Sequence, residues 1–225
     1  MFPETAVVTG AAGGIGRALV ELLESEGATV RGLDLADGFD VSDPQAWLDV
    51  EAADLVCLNA GVLAKGDGTI DDYRRILAVN VDGVVFGVQA LAPRMREGSA
   101  FVVTASLAGL IPMESDPLYV LTKHAVVGFA RSMAPLLEPR GIRINLVCPG
   151  IVRTPMTEEA QPTLDAAGFP LMEPEQIAAA ILAAGRSGET GQAWVCQPGR
   201  EPLKFKFPNV PGPRVEGTEG MVPQL

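Results

Sequence analysis

The chain has 225 residues, of which 48% are hydrophobic and 20% charged, and a formal net charge of −11. That length suits one domain with a large core, and that composition suits a soluble globular protein. The acidity argues against a nucleic-acid partner, because phosphate backbones are met by basic patches.

Short β-branched runs alternate with longer helical stretches. TAVVT (5–9) predicts a strand, GIGRALVELLESEG (14–27) a helix and ATVRGLD (28–34) a second strand. Leu19, Leu22 and Leu23 give that helix an apolar stripe at three-to-four spacing. The segment from Asp34 to Asp54 is too short for a full helix, strand and helix, so a cramped connection is expected, with DPQAWLDVEA (43–52) as its one helix. Then come the strand DLVCLNAG (54–61), a helix from about Asp71 to Glu97, the strand AFVVTAS (100–106) and a helix from about Leu118 to Leu137, ended by Pro139 and Gly141. The strand IRINLVCPG (142–150), a helix from about Glu175 to Ala184 opened by Pro174, and the strand QAWVC (192–196) follow. Near-continuous apolar strands separated by helices predict a parallel sheet covered on both faces, an α/β, Rossmann-like doubly wound fold in a single domain. The proline-rich stretch 199–225 reads as an extended C-terminal tail, with LKFKF (203–207) as a short strand.

Several classes of site are not expected. Cys57, Cys148 and Cys196 lie far apart, each inside or beside an apolar run, and His124 is the only histidine. That is neither a metal-ligand pattern nor a disulfide framework, so buried thiols and no metal are expected. No apolar run reaches the roughly 18 to 20 residues that span a bilayer. MFPETAVV passes straight into a strand-like run without a basic n-region, which reads as cytoplasmic, with no membrane partner.

TGAAGGIG (9–16) lies between the first strand and the first helix. There Gly10 permits a tight turn, Gly14 lets backbone approach a pyrophosphate beside Ile15, and Gly16 lets helix pack closely on strand. Asp34, ending the second strand, can accept hydrogen bonds from ribose hydroxyls, and its charge would repel a 2′-phosphate. No Arg or Lys follows it in LADG, so NAD is favoured over NADP. In YVLTK (119–123), Tyr119 and Lys123 are one helical turn apart on one face.

With these motifs in place, the sequence resembles the short-chain dehydrogenase/reductase family along residues 5 to 198. TGAAGGIG is similar to its TGxxxGxG motif, LNAG (58–61) to its NNAG motif, and CPGIVRT (148–154) to its PG segment. Ser106 with YVLTK resembles the Ser and YxxxK catalytic set, and Asn80 in AVNVDGV matches the family's helix asparagine. DVSD (40–43) resembles the adenine-contacting segment, which adds Asp40 and Val41. The chain departs from the pattern at Leu58, in the short stretch after Asp34, and in WVCQPGREP, which lacks the usual glycine pair.

The resemblance implies a dinucleotide-binding catalytic domain over 1–198, with a variable substrate lid at about 154–173. It implies cofactor contacts at Asn59, Ala60 and Gly61, at Pro149, Gly150, Val152 and Thr154, and at Tyr119 and Lys123. Tyr119 would be the general acid/base, with its phenol made acidic by Lys123 and the oxidised nicotinamide ring. Ser106 would polarise the substrate oxygen, and Asn80 would hold a water of a proton relay. Thr122 and His124 are expected off the Tyr–Lys face, as structural residues, and Tyr73 as packing. Met156, Leu164, Phe169, Leu171 and Met172 would offer an apolar pocket, although core packing explains them equally well. The implied reaction interconverts a small-molecule secondary alcohol and a ketone with NAD; an NADPH-dependent ketone reductase and a non-catalytic dinucleotide sensor are the alternatives. A homo-oligomer, tetramer or dimer, is implied, built partly from the helices at 71–97 and 118–137.

Overall fold

The structure, a computed structural model, describes residues 3–66 and 68–209. Strands β1 (Thr5–Thr9), β2 (Thr29–Leu33), β3 (Leu55–Leu58), β4 (Ala100–Thr104), β5 (Arg143–Pro149) and β6 (Ala193–Cys196) run parallel. A two-residue β7, Leu203–Lys204, returns antiparallel along β6. The sheet order is β2-β1-β3-β4-β5-β6-β7. The chain therefore winds one way from β1 to β2 and the other way from β3 onward. That reversal opens a crevice at the carboxyl ends of β1 and β3, where doubly wound sheets bind ligands.

The central strands are apolar at nearly every position because both faces are covered. Val56, Leu58, Phe101, Val103, Ile144 and Leu146 belong to one core layer, and Leu55, Cys57, Ala100, Val102 and Val147 to the other. The second layer is closed by α1 (Gly14–Ser25) and α6 (Pro174–Arg186), through Leu19, Leu23, Ile177 and Ile181. The first is closed by a long rod and by α4 (Pro117–Leu137). The rod is α2 (Ile70–Leu77), a π-helical turn at Ala78–Asp82, α3 (Gly83–Leu91) and a 3₁₀ turn at Ala92–Arg94. A short helix, α5 (Gln161–Ala166), precedes α6.

Three sequence expectations change. The helix expected over 43–52 is only a 3₁₀ turn at Ala46–Asp49. Its cause is Trp47, which is fully buried and donates its indole N–H to the Val41 carbonyl at 2.9 Å. The ring meets Phe39 edge-on at 5.2 Å and fills a notch at Gly87, where an added Cβ would lie 2.8 Å from it. One indole thus covers the sheet where a whole helix would not fit, and it pulls the chain too tight for α-helical pitch. Second, the rod 70–94 has the length and composition of a membrane span, although no such run was expected. The π turn joins two helices into one, and the rod's Ile76, Asn80, Val84, Val88 and Leu91 are buried inside the protein. Third, the strand expected within 203–207 is limited to Leu203–Lys204, after which Phe205 and Phe207 pack onto the first core layer and the Phe207 ring stacks on Arg131 of α4 at 3.6 Å. The rest of the expected tail, 210–225, lies outside the described residues.

At the opposite edge, β2 pairs only with β1. Its Thr29, Arg31 and Gly32 are exposed, and Arg31 reaches back to donate to the Asp49 carbonyl at 2.8 Å. Because Trp47 is the plug of the short connection, Trp47→Ala is expected to cost about 3–5 kcal/mol of unfolding free energy, read from the denaturant midpoint. A loss below about 1 kcal/mol would show that the connection is held by something else.

Candidate active site

The glycine turn is shaped by backbone contacts that leave no room for side chains. Gly10 has φ +67°, and a Cβ there would lie 3.0 Å from Ala60 Cα. A Cβ on Gly16 would sit 2.0 Å from the Gly10 carbonyl oxygen and 3.0 Å from Asn59 Nδ2; one on Gly14 would lie 2.6 Å from Thr154 Cγ2. These contacts bring Gly10, Gly14, Gly16, Asn59, Ala60 and Thr154 together around the crevice. The half-buried Ile15 lies beside them, packed against the second core layer.

Thr9, unremarked in the sequence beyond being the first letter of its motif, joins β1 to β3. Its hydroxyl accepts from Asn59 N at 2.9 Å and Ala60 N at 3.0 Å. Asn59 Nδ2 donates to the Thr9 carbonyl at 3.1 Å, while its Oδ1 accepts from Thr104 Oγ1 at 3.1 Å.

The crevice fits a dinucleotide. The N-terminus of α1 carries no side-chain cap and no acid in its first turn, so its dipole is open to an anion. Asp34 stands beside the turn, with Oδ2 accepting from Ala12 N and Oδ1 from Ala36 N, both at 3.0 Å. Val41 is buried against Gly83, where an added Cβ would lie 2.8 Å from Val41 Cγ2. Asp40 is exposed and accepts from the backbone and hydroxyl of Ser42 at 2.9 and 2.7 Å, which draws it into its own turn.

At the carboxyl ends of β4 and β5 stand the groups of the YVLTK segment. Asp116 caps α4 and Pro117 opens it, so the first turn is fixed before Tyr119 is reached. Tyr119 and Lys123 do share a face: Lys123 Nζ lies 5.5 Å from the phenol ring centre. Lys123 is buried and donates to the Thr104 carbonyl at 2.9 Å; a Cβ on Gly61 would be 3.4 Å from Nζ and 3.4 Å from Asn80 Oδ1. Burial draws the Lys123 ammonium down to about 8. Burial also pushes the Tyr119 phenol up to about 12; the negative charge of Asp116 adds to this, and a hydrogen bond from Ser106 opposes it. In the chain by itself burial is the largest influence on the phenol, whereas the lowering expected from Lys123 together with the oxidised nicotinamide ring concerns the cofactor-bound protein.

Ser106 opens a 3₁₀ turn, its Oγ accepting from Ala108 N at 3.1 Å. The backbone amide of Ser106 faces the Cys148 thiol, which burial pushes up to about 12. All three cysteines are free and buried. Gly150 donates to the Cys196 carbonyl at 2.9 Å, and Leu107 Cδ1 lies 3.5 Å from where its Cβ would be, so Pro149 and Gly150 adjoin the Ser106 turn.

Asn80 sits in the π turn, where the extra residue turns its side chain into the core. Its Nδ2 donates to Val62 O at 2.9 Å and to Thr122 Oγ1 at 3.0 Å, and Oδ1 accepts from Val62 N at 2.8 Å. Thr122 is thus not apart from the site. It is fully buried and donates to the Tyr119 carbonyl at 2.8 Å, bridging Asn80 to the α4 backbone. The exposed His124 bonds only within its own helix, to Val120 O at 3.0 Å. Tyr73 is half-buried in α2.

Over the crevice, Val152 bridges to Met172 in parallel, and both are buried. Arg153 ties α5 to the start of α6: it donates to both Asp165 oxygens at 3.1 and 2.9 Å and lies 3.5 Å from Glu173. Of the apolar lid residues, Met172 belongs to the core, Leu164 and Leu171 are half-buried, and Met156 and Phe169 are exposed. Among the described residues, no group of three His, Cys, Asp or Glu side chains could hold a metal ion.

A family profile described as enoyl-(acyl carrier protein) reductase matches residues 42–193. An uncharacterized short-chain type dehydrogenase/reductase of Sinorhizobium fredii, y4vI, is 35% identical over 184 residues, which is 69% of this chain; the chain spans about one third of that relative, 34% of its length. A 3-alpha-(or 20-beta)-hydroxysteroid dehydrogenase of Mycobacterium bovis is 34% identical over 190 residues, 70% of this chain and 72% of that protein. Among solved structures, a 3-oxoacyl-[acyl-carrier protein] reductase of Brucella melitensis with bound NAD superposes with a TM-score of 0.75 at 28% identity, covering 85% of this chain and 88% of that one. The profile match, this relative and the shared fold place the chain in the short-chain dehydrogenase/reductase family.

Proposed function

We propose that this chain is an NAD-dependent oxidoreductase that interconverts a small secondary alcohol and its ketone, with Tyr119 as general acid/base. The observation that carries the reading is the placement of the Tyr119 phenol beside the buried Lys123 amine and within hydrogen-bonding reach of Ser106. When bound, a nicotinamide dinucleotide supplies the acceptor or donor of hydride and, oxidised, a positive ring. Gly10, Gly14 and Gly16 would cradle its pyrophosphate at the N-terminus of α1, and Asp34 would meet the adenosine ribose. Val152 and Thr154 would hold the amide end from above.

Tyr119 takes the hydroxyl proton in oxidation and returns it to the ketone oxygen in reduction. Ser106 Oγ accepts from Ala108 N, and its O–H, which faces the Tyr119 phenol, would turn to the substrate oxygen when substrate binds. Lys123 favours the phenolate through its charge. From about 12, a phenolate near neutral pH needs several kcal/mol of added field, so Lys123 alone does not suffice and the cationic ring is part of the device. Asn80 and Thr122 hold the helix and the loop after β3 in register, and Asn80 would seat the relay water. The hydroxysteroid relative supports an alcohol or ketone as substrate. The exposed Leu121 and Leu136 on α4 support a homo-oligomer.

Tyr119→Phe is expected to bind NAD within about threefold of the parent, while a screen of secondary alcohols shows turnover at least about a hundredfold lower. Full turnover in that variant would remove Tyr119 from its role. For the cofactor, calorimetry is expected to show NAD binding at least about tenfold tighter than NADP, with Asp34→Asn narrowing the gap. A wild-type preference for NADP would overturn the assignment of Asp34.

A further inference from the structure

Four consecutive residues after β3 are each held by a different side chain. Asn80 takes both backbone groups of Val62, and Arg75 donates to the Leu63 carbonyl at 2.7 Å. Asp116 Oδ2 accepts from Ala64 N at 3.0 Å, and Asp72 Oδ2 accepts from Lys65 N at 2.6 Å. Three of these side chains come from the long rod. Asp116 comes from the start of α4, and its other oxygen, Oδ1, accepts from Tyr119 N at 2.8 Å. One half-buried carboxylate therefore spans two elements, with both of its oxygens facing N–H donors.

We propose that Asp116 is a positioning residue for Tyr119, a single carboxylate that locks the first turn of α4, and the phenol with it, to the loop at 62–65. The proposal rests on Tyr119 being the acid/base. Helix capping alone does not account for the geometry, because Asn, Ser or Thr caps equally well through one oxygen. An asparagine at 116 would keep the bond to Tyr119 N and turn an NH₂ group toward Ala64 N, where donor meets donor. A carboxylate is the side chain that satisfies both.

The same carboxylate brings a negative charge close to the phenol and makes it harder to ionise. The other groups facing the phenol are Lys123 on its own helix, Ser106 after β4 and the Cys148 thiol of β5. Lys123 and Asp116 thus act in opposite senses on one hydroxyl. Turnover in the oxidative direction rises with pH as the phenol ionises, so removing the charge at 116 moves that rise to lower pH.

The test is turnover against pH with saturating NAD and a secondary alcohol that the wild type oxidises, for wild type, Asp116→Asn, Asp116→Ser and Tyr119→Phe. The two Asp116 variants are expected to shift the rising limb toward acid by at least about half a pH unit. Their plateau kcat falls several-fold as the loop loosens, while KM for the alcohol changes less. Asp116→Ser keeps a cap and serves if Asp116→Asn does not fold. Limbs that superpose on wild type, with only the melting temperature lowered, would reduce Asp116 to a helix cap and overturn the proposal. If Tyr119→Phe turns over like wild type, the acid/base reading falls, and the proposal with it.

Discussion

A lysine amine shut away from water is the constraint around which this molecule is arranged. Lys123 lies under the phenol of Tyr119 and donates a hydrogen bond to a strand carbonyl, that of Thr104. To bury an amine there, the neighbours must be small and immobile. Gly61 leaves Nζ its space, and Gly109 lets the turn after β4 press on the helix backbone, where a Cβ would lie 2.7 Å from the Lys123 carbonyl oxygen. Asn80 stands on the other side with both amide hydrogens engaged and its Oδ1 bound to Val62 N. The π turn that aims Asn80, the glycines and the threonine bridge at 122 all serve the same enclosure. Each would be out of place around a solvated lysine.

Burial moves both groups of the pair toward neutrality, the lysine down and the phenol up. Under the proposed function, a cationic cofactor ring would add the positive charge that favours the phenolate, so the base would be formed only in the loaded protein. Ser106 and Asp116 are the local adjustments, one easing ionisation and the other opposing it.

Much of this was legible in the residues because the local rules point the same way as the fold. Continuous apolar strands specified two covered faces, and β1 through β6 appear where the runs placed them. The glycines of the first turn were readable because each answers a steric demand of its own. The Tyr119–Lys123 spacing was readable because helical pitch alone puts them on one face. The cap Asp116 and the first-turn Pro117 lie just before the helix start expected at about Leu118, and the second bond of Asp116 depends on a loop 52 residues away in sequence. What stayed hidden depends on contacts distant in the chain. Helical periodicity over 43–52 could not foresee the Gly87 notch that captures Trp47. A π turn adds one residue without altering composition, so its place at Ala78–Asp82 within the expected helix and the inward aim of Asn80 left no periodic trace. Thr122 looked peripheral by helical angle, yet its hydroxyl reaches sideways to the asparagine. Helical spacing also carries no measure of burial, which pushes the Tyr119 phenol up in the chain by itself.

The abbreviated connection after Asp34 has a consequence for how the protein behaves in company. With one indole doing the covering, β2 is the outermost strand among the described residues, and its outer edge has no strand partner. Such borders invite a neighbour to dock as an extra strand and so seed insoluble assemblies. Here the border is five residues long, bears a guanidinium at its centre and holds a glycine beside it. Brevity, charge and a weak strand former therefore guard the flank that the missing helix would have shielded, and colloidal stability at this rim falls largely to Arg31.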